Sequence, residues 1–254
     1  SPVILSESCN IEVSARRIMA GKTMNAGQIC LSPDYVLLPE NKLEGFVSSS
    51  KDAVTKMFPT LKDNDDYTSL INERHYLRLK NYINEAKQSG CQIVEINPSN
   101  EDFEQQEHFK IPPTLLINPN DDLKVMQEEI FGPVLPVKTY KDFDETITYV
   151  NKKDRPLGLY YFGKDDDELS TVLDKTTSGG VTVNDVIFHV SQDNAPFGGV
   201  GPSGIGSYHG EEGFKNFSHA KTIFTQTNMD NLIDVFRPPY GKKAEKALKD
   251  QIKT

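Results

Sequence analysis

Residues 1–38, SPVILSESCNIEVSARRIMAGKTMNAGQICLSPDYVLL, decide the fold. Val3-Ile4-Leu5 is a short apolar run, and Tyr35-Val36-Leu37-Leu38 is a second, stopped by Pro39. Runs that are apolar at every position, without polar alternation, belong to strands covered on both faces. Between them Asn10 stands where a helix cap belongs. Ile11, Ala15, Ile18 and Met19 follow at the i, i+4, i+7 and i+8 spacing of one helical face. Strand, helix and strand in so short a span open an alternating α/β pattern.

The alternation continues outward. Leu43, Phe46, Val47, Val54, Met57 and Phe58 mark a second helix, and Asp63–Asp66 a polar loop. Leu79, Tyr82, Ile83 and Ala86 mark a third helix, with Gly90 at its carboxyl end. Gln92–Ile96, Thr114–Ile117 and Val134–Tyr140 read as strands, and Asn97–Lys110 as an acidic, solvated loop. Asp142 with Glu145 makes a capping box before Phe143, Ile147 and Val150. Leu159–Phe162, a helix carrying Leu169, Val172 and Leu173, and Val181–Val183 complete the series. The pattern predicts an α/β domain over residues 1–221, a mostly parallel sheet covered by helices on both faces. Residues 222–254 read as an extension, with a strand at Thr222–Thr225, a break at Pro238-Pro239-Tyr240-Gly241 and a lysine-rich helix over Lys242–Lys253.

Composition narrows the partners. With 37% hydrophobic and 26% charged residues, the 254-residue chain has a globular balance. Its net charge of −9 argues against nucleic acid or an anionic membrane as partner. No run approaches the ~20 apolar residues of a membrane span. Three cysteines without close spacing make neither a disulfide framework nor a zinc site, and they suggest a reducing, cytoplasmic compartment. The five histidines form no metal-binding spacing, so no metal is expected.

Three segments could carry chemistry. In Asn25-Ala26-Gly27-Gln28-Ile29-Cys30 the thiol sits in a small polar turn between a helix and a strand. A substrate can reach it there, and cysteine is the best side-chain nucleophile near neutral pH. Cys9 and Cys91 adjoin regular elements and read as packing residues. Gln127-Glu128-Glu129-Ile130-Phe131-Gly132-Pro133-Val134 sets two carboxylates before an aromatic and a glycine. A carboxylate can accept bonds from ribose hydroxyls and a phenyl ring can pack on a planar heterocycle, but taken alone the segment reads first as a surface turn leading into a strand, since Glu is mostly exposed. Pro196–Gly206 holds five of the 17 glycines without a Walker lysine, and it reads as a tight loop or as a pocket wall beside Phe197. A Cys30–His189 pair oriented by Asn184 or Asp185 would make a cysteine hydrolase.

Taken together, Asn25–Cys30 as N-x-G-Q-x-C, Glu129–Pro133 as E-I-F-G-P and Pro196–Gly206 as P-F-G-G-x-x-x-S-G-x-G resemble the aldehyde dehydrogenase superfamily, in the family's order. Asn184-Asp185-Val186, Ser207-Tyr208-His209-Gly210 and Phe217-Ser218-His219 are similar to its class-3-type branch. Val190–Asp193 and the Gly201-Pro202 step are similar to the coniferyl aldehyde dehydrogenase group. The resemblance runs from Ser1 to about Phe236.

It implies a three-layer αβα catalytic domain that uses NAD or NADP to oxidise an aldehyde, in a parent that is a homodimer. Cys30 falls on the nucleophile, Glu129 on the carboxylate for the nicotinamide ribose, Phe131 on the aromatic beside it, and Phe197 on the substrate-pocket aromatic. The family's dinucleotide-binding domain, its oxyanion-hole asparagine and its E-L-G-G general base are expected upstream of Ser1. The chain is therefore expected to be a catalytic domain with its extension, of little activity alone. The rival expectations are a non-catalytic scaffold that keeps the fold, and the Cys30–His189 hydrolase.

Overall fold

Asn10 does cap the first helix: its side-chain oxygen accepts from the Val13 amide at 3.0 Å. The computed structural model describes residues 1–228 and 236–252. Seven strands are β1 (Pro2–Leu5), β2 (Tyr35–Pro39), β3 (Gln92–Glu95), β4 (Thr114–Ile117), β5 (Val134–Tyr140), β6 (Gly158–Phe162) and β7 (Gly180–Val183). Helices α1 (Ile11–Thr23), α2 (Leu43–Met57), α3 (Glu73–Gln88), α4 (Lys124–Gln127), α5 (Phe143–Lys152), α6 (Asp166–Lys175) and α7 (Gly210–Asn216) accompany them, and α8 spans Lys242–Ile252. The strands form one sheet in the order β3-β4-β5-β2-β1-β6-β7. Every neighbouring pair is parallel except β3 with β4, so the sheet is mixed and mostly parallel, as expected.

The period-2 geometry of the strands divides the apolar runs between two faces. Val3, Leu5, Val36, Leu38, Leu115, Leu135, Tyr160 and Phe162 face the layer of α1 and α2. Ile4, Leu37, Leu159 and Tyr161 join α5 and α6 on the other face, where Leu116 and Val134 pack with Leu79 and Tyr82 of α3. Strands apolar at every position are thus explained, since both faces are covered. Asp142 and Glu145 form the expected capping box on α5.

Two expectations need correction. The loop over residues 97–110 is not simply solvated. The Glu101 carboxylate accepts from the Leu61 and Lys62 amides at 2.6 and 3.1 Å, and the buried Lys110 ammonium donates to the carbonyls of Leu61 and Asn64. Charge-assisted bonds to backbone hold the loop down where composition alone suggests solvent. The other correction is at Thr222–Thr225, which forms no strand. Ile223 and Phe224 are exposed, and among the described residues no strand pairs with this stretch to form a ladder.

Contacts divide the chain into residues 1–217 and residues 218–254. The second unit contains α8, where Lys249 pairs with Glu245 one turn earlier at 2.8 Å. Lys253, which the expected helix included, lies outside the described residues. Among the described residues, no helix is long and apolar enough to cross a membrane.

Candidate active site

The chemistry-bearing segments gather at the amino ends of the parallel strands. Cys30 stands just before β2, Glu129 just before β5, and residues 152–157 lead into β6. Open parallel sheets more often receive ligands at the carboxyl edge. Here a cavity of about 640 Å³ opens at the amino edge, with Cys30, Asp34, Glu129, Arg155 and Ser203 in its walls.

Local backbone geometry delivers the thiol. After α1, Asn25, Ala26 and Gly27 adopt successive left-handed conformations, with φ of 50°, 51° and 74°. Only glycine takes that region freely, and an L-residue there costs roughly 1–2 kcal/mol. The turn persists because its surroundings over-determine it. The Asn25 amide group donates to the Gln28 carbonyl at 3.1 Å, and the Gln28 amide returns a bond to Asn25 at 3.0 Å. The Gln28 side chain then reaches away, donating to the Ser69 carbonyl and accepting from the Ile71 amide. Ala26 is buried beside Ile130 and Leu79. The chain emerges with Cys30 exposed. Among the described residues the Cys30 amide finds no acceptor, so it remains available to an oxygen bound at the thiol.

The second motif is docked against the first. A Cβ on Gly27 would lie 2.3 Å from the Gly132 carbonyl oxygen, so the two backbones pack where Gly27 has no room for a side chain, while a Cβ on Gly132 would meet the Leu79 side chain. The Ile130 amide donates to the Asp34 carboxylate at 3.2 Å. Arg78 donates to the carbonyls of Ile130 and Glu129, at 2.6 and 3.3 Å. Desolvation at the cavity wall, then the nearby Asp34 charge, push the Glu129 carboxyl above its usual pKa, while Arg78 and Lys22 act the other way.

Lys22 lies wholly buried beneath this region, its ammonium donating to the Pro33 carbonyl at 2.8 Å. Burial lowers it from the ordinary lysine value of 10.5 to about 8, against the pull of Asp34 and Glu129. Below about pH 8 it is protonated in both folded and unfolded chains, and the burial penalty is complete. Between about 8 and 10.5 the unfolded chain binds more protons, so this group makes stability rise with pH. Lys22→Met is expected to remove that rise, read by denaturant unfolding of both proteins at pH 7.5, 9 and 10.5; parallel curves would contradict it.

The cavity brings Cys30 and Glu129 together. Phe131, at φ 48°, follows Glu129 with its ring partly exposed but is not a wall of this cavity. Phe197 is not one either. Its ring is buried, edge-on to Tyr208 at 5.5 Å, stacked on His209 at 5.8 Å, and 5.9 Å from His189. The glycine loop after it folds on itself, since a Cβ on Gly199 would meet the Ser203 carbonyl at 2.1 Å, and Pro202 and Ser203 reach the cavity.

The Cys30–His189 dyad is not assembled. His189 Nδ1 is 2.8 Å from the Thr182 hydroxyl, and among the described residues its Nε2 is enclosed without a hydrogen-bond partner. Asn184 is spent on both backbone groups of Gly163, and Asp185 faces Arg17. Thr182, not an acidic or amide side chain, orients the ring. Burial raises the thiol pKa of Cys9 and of Cys91, which suits packing roles. Sequence reasoning missed Lys22, Asp34 and Arg78. Lys22 carries a signal in retrospect, as a charge on the buried face shared by Ala15, Ile18 and Met19. Among the described residues no cluster of three His, Cys, Asp or Glu could hold a metal.

The profile of the aldehyde dehydrogenase family matches residues 1–223. A probable coniferyl aldehyde dehydrogenase of Caulobacter vibrioides is 58% identical over the whole chain and 52% of its own length. A coniferyl aldehyde dehydrogenase of a Pseudomonas species is 51% identical over 95% of this chain and 50% of its own. Among solved structures, the substrate-bound state of Staphylococcus aureus AldH superposes with a TM-score of 0.80 at 34% identity. It covers 98% of this chain, which covers 53% of it. The chain thus spans about half the length of the curated relatives it matches.

Proposed function

The chain belongs to the aldehyde dehydrogenase family, and on that premise we propose that it carries the thiol half of a nicotinamide-dependent aldehyde oxidation, with Cys30 as nucleophile. The observation that carries this reading is the shared cavity of Cys30 and Glu129. Coniferyl aldehyde, or an aromatic aldehyde like it, is the proposed substrate, supported by the two relatives named for it at 58% and 51% identity.

The residues suit a nicotinamide cofactor. Glu129 offers a carboxylate to ribose hydroxyls, and the partly exposed Phe131 ring offers a face to a planar heterocycle. When bound, the cofactor supplies the hydride acceptor. Cys30 sulfur attacks the aldehyde carbon, and a C–S bond forms as the carbonyl π pair moves to oxygen. The Cys30 amide, without an acceptor among the described residues, would be a donor to that oxyanion. Loss of hydride from the same carbon leaves a thioester on Cys30. Water then adds to its carbonyl, giving up a proton to solvent, and the C–S bond breaks as the thiolate departs, giving the carboxylic acid. Sulfur serves both steps, as a nucleophile and then as a leaving group.

The test is to mix the intact protein with coniferyl aldehyde and either NAD or NADP, and to follow cofactor reduction and acid formation together. Stoichiometric formation of both supports the reading. A Cys30 thiol that reacts with an aldehyde analogue or alkylating agent no faster than Cys9 and Cys91 would favour the scaffold reading instead.

A further inference from the structure

Arg78 lies on α3, one turn before Tyr82, outside all three motifs that point to the site. Its guanidinium reaches the Ile130 carbonyl at 2.6 Å, the Glu129 carbonyl at 3.3 Å and the Tyr82 hydroxyl at 3.0 Å, and it lies 5.1 Å over the Tyr82 ring. The Tyr82 hydroxyl in turn donates to the Glu128 carboxylate. One face of one helix thus grips three consecutive residues, 128, 129 and 130. On the far side the same segment is held by Asp34 at the Ile130 amide and by Gly27 against Gly132.

We infer that Arg78 is a positioning residue, fixing the peptide plane between Glu129 and Ile130 so that the Glu129 carboxylate is aimed into the cavity it shares with Cys30. The inference rests on the proposed role of Glu129 toward the cofactor ribose. A planar guanidinium presents its donors in a rigid fork, so two carbonyls bound by one fork are fixed relative to each other. A lysine ammonium at this position would bind one carbonyl and leave the orientation of that peptide to the Asp34 bond at the Ile130 amide. Arg78 is half-buried and borders an open groove of about 750 Å³ along α3, so the core does not depend on it. Its hydrogen bonds go to two backbone carbonyls and the Tyr82 hydroxyl rather than to the Glu129 side chain. Its effect on binding is therefore transmitted through Glu129.

The test is calorimetric titration of the intact protein with NAD and with NADP, for wild type, Arg78→Met, Arg78→Lys, Glu129→Gln and the Arg78→Met/Glu129→Gln double variant. Arg78→Met is expected to weaken dinucleotide binding by roughly tenfold, the scale of losing bonds from a charged donor. Arg78→Lys should lose less than Met but remain weaker than wild type. The double variant should bind no more weakly than the weaker single, because Arg78 has nothing left to aim. Cys30 alkylation without dinucleotide should keep its wild-type rate. Wild-type binding by the Arg78 variants, with Glu129→Gln weakened, overturns the inference and leaves the role of Glu129 standing. Wild-type binding by Glu129→Gln overturns that role and the inference with it. Losses that multiply in the double variant would make Arg78 an independent contact or a merely structural residue, and would also overturn it. Should Arg78→Met fail to fold, the lysine variant carries the same comparison, since it keeps the charge and loses the fork.

Discussion

Cys30→Ala is expected to lower the turnover of aldehyde oxidation by a factor on the order of 10⁴ or more, the scale seen when a covalent nucleophile is removed. The loss should appear in kcat, with dinucleotide binding within about twofold of wild type, because Glu129 and its supports are untouched. Cys30→Ser should lose nearly as much, since a hydroxyl is scarcely ionised near neutral pH and its ester is harder to cleave than a thioester. Cys91→Ala is the control. That thiol is half-buried, and its sulfur contacts the Ile117 carbonyl away from the cavity. Residual oxidation by Cys30→Ala above about one-hundredth of wild type would remove the covalent step from the account.

Gly27→Ala is expected to be the most damaging single methylene change in the site. The residue sits at φ +74°, and the new Cβ would fall 2.3 Å from the Gly132 carbonyl oxygen. A left-handed alanine costs roughly 1–2 kcal/mol by itself. The clash adds to it, because the opposing atom is backbone and cannot rotate aside, for a total of about 3 kcal/mol or more. That corresponds to a fall in Tm on the order of 10 °C for a domain of this size. Gly90→Ala separates the two causes. Gly90 is also left-handed, at φ +84°, but nothing lies within 4 Å of its Cβ position. It should therefore lose only the conformational cost, about 1 kcal/mol. Equal losses at the two positions, measured by denaturant unfolding, would mean that the Gly27–Gly132 contact is not what joins the motifs.

Much of the fold can be read from the chain because its local signals agree with its packing. Asn10 and Asp142 cap the helices they precede, and the uninterrupted apolar runs at Val3–Leu5 and Leu159–Phe162 are buried on both faces. The sheet order cannot be read this way. The antiparallel pairing of β3 with β4 depends on which edge the chain crosses to, and periodicity does not encode that. Thr222–Thr225 shows the converse, an apolar pattern that suits a strand but pairs with no strand among the described residues. The site divides in the same way. Cys30 and Glu129 stand in short motifs with unusual residue types, whereas Asp34 and Arg78 act through backbone groups distant in sequence. Phe197 could be placed in its glycine loop but not at a particular wall, because its position depends on the packing of Tyr208, His189 and His209 around it.

The central claim is that the aldehyde carbon becomes bonded to Cys30 sulfur. Its most direct measurement is rapid acid quenching of the intact protein during turnover of coniferyl aldehyde, followed by peptide mass spectrometry. The account predicts an acyl adduct on the peptide containing Cys30, absent when the dinucleotide is omitted and absent in Cys30→Ala. Sustained acid formation with no adduct on Cys30, or with the adduct on Cys9 or Cys91, would contradict it.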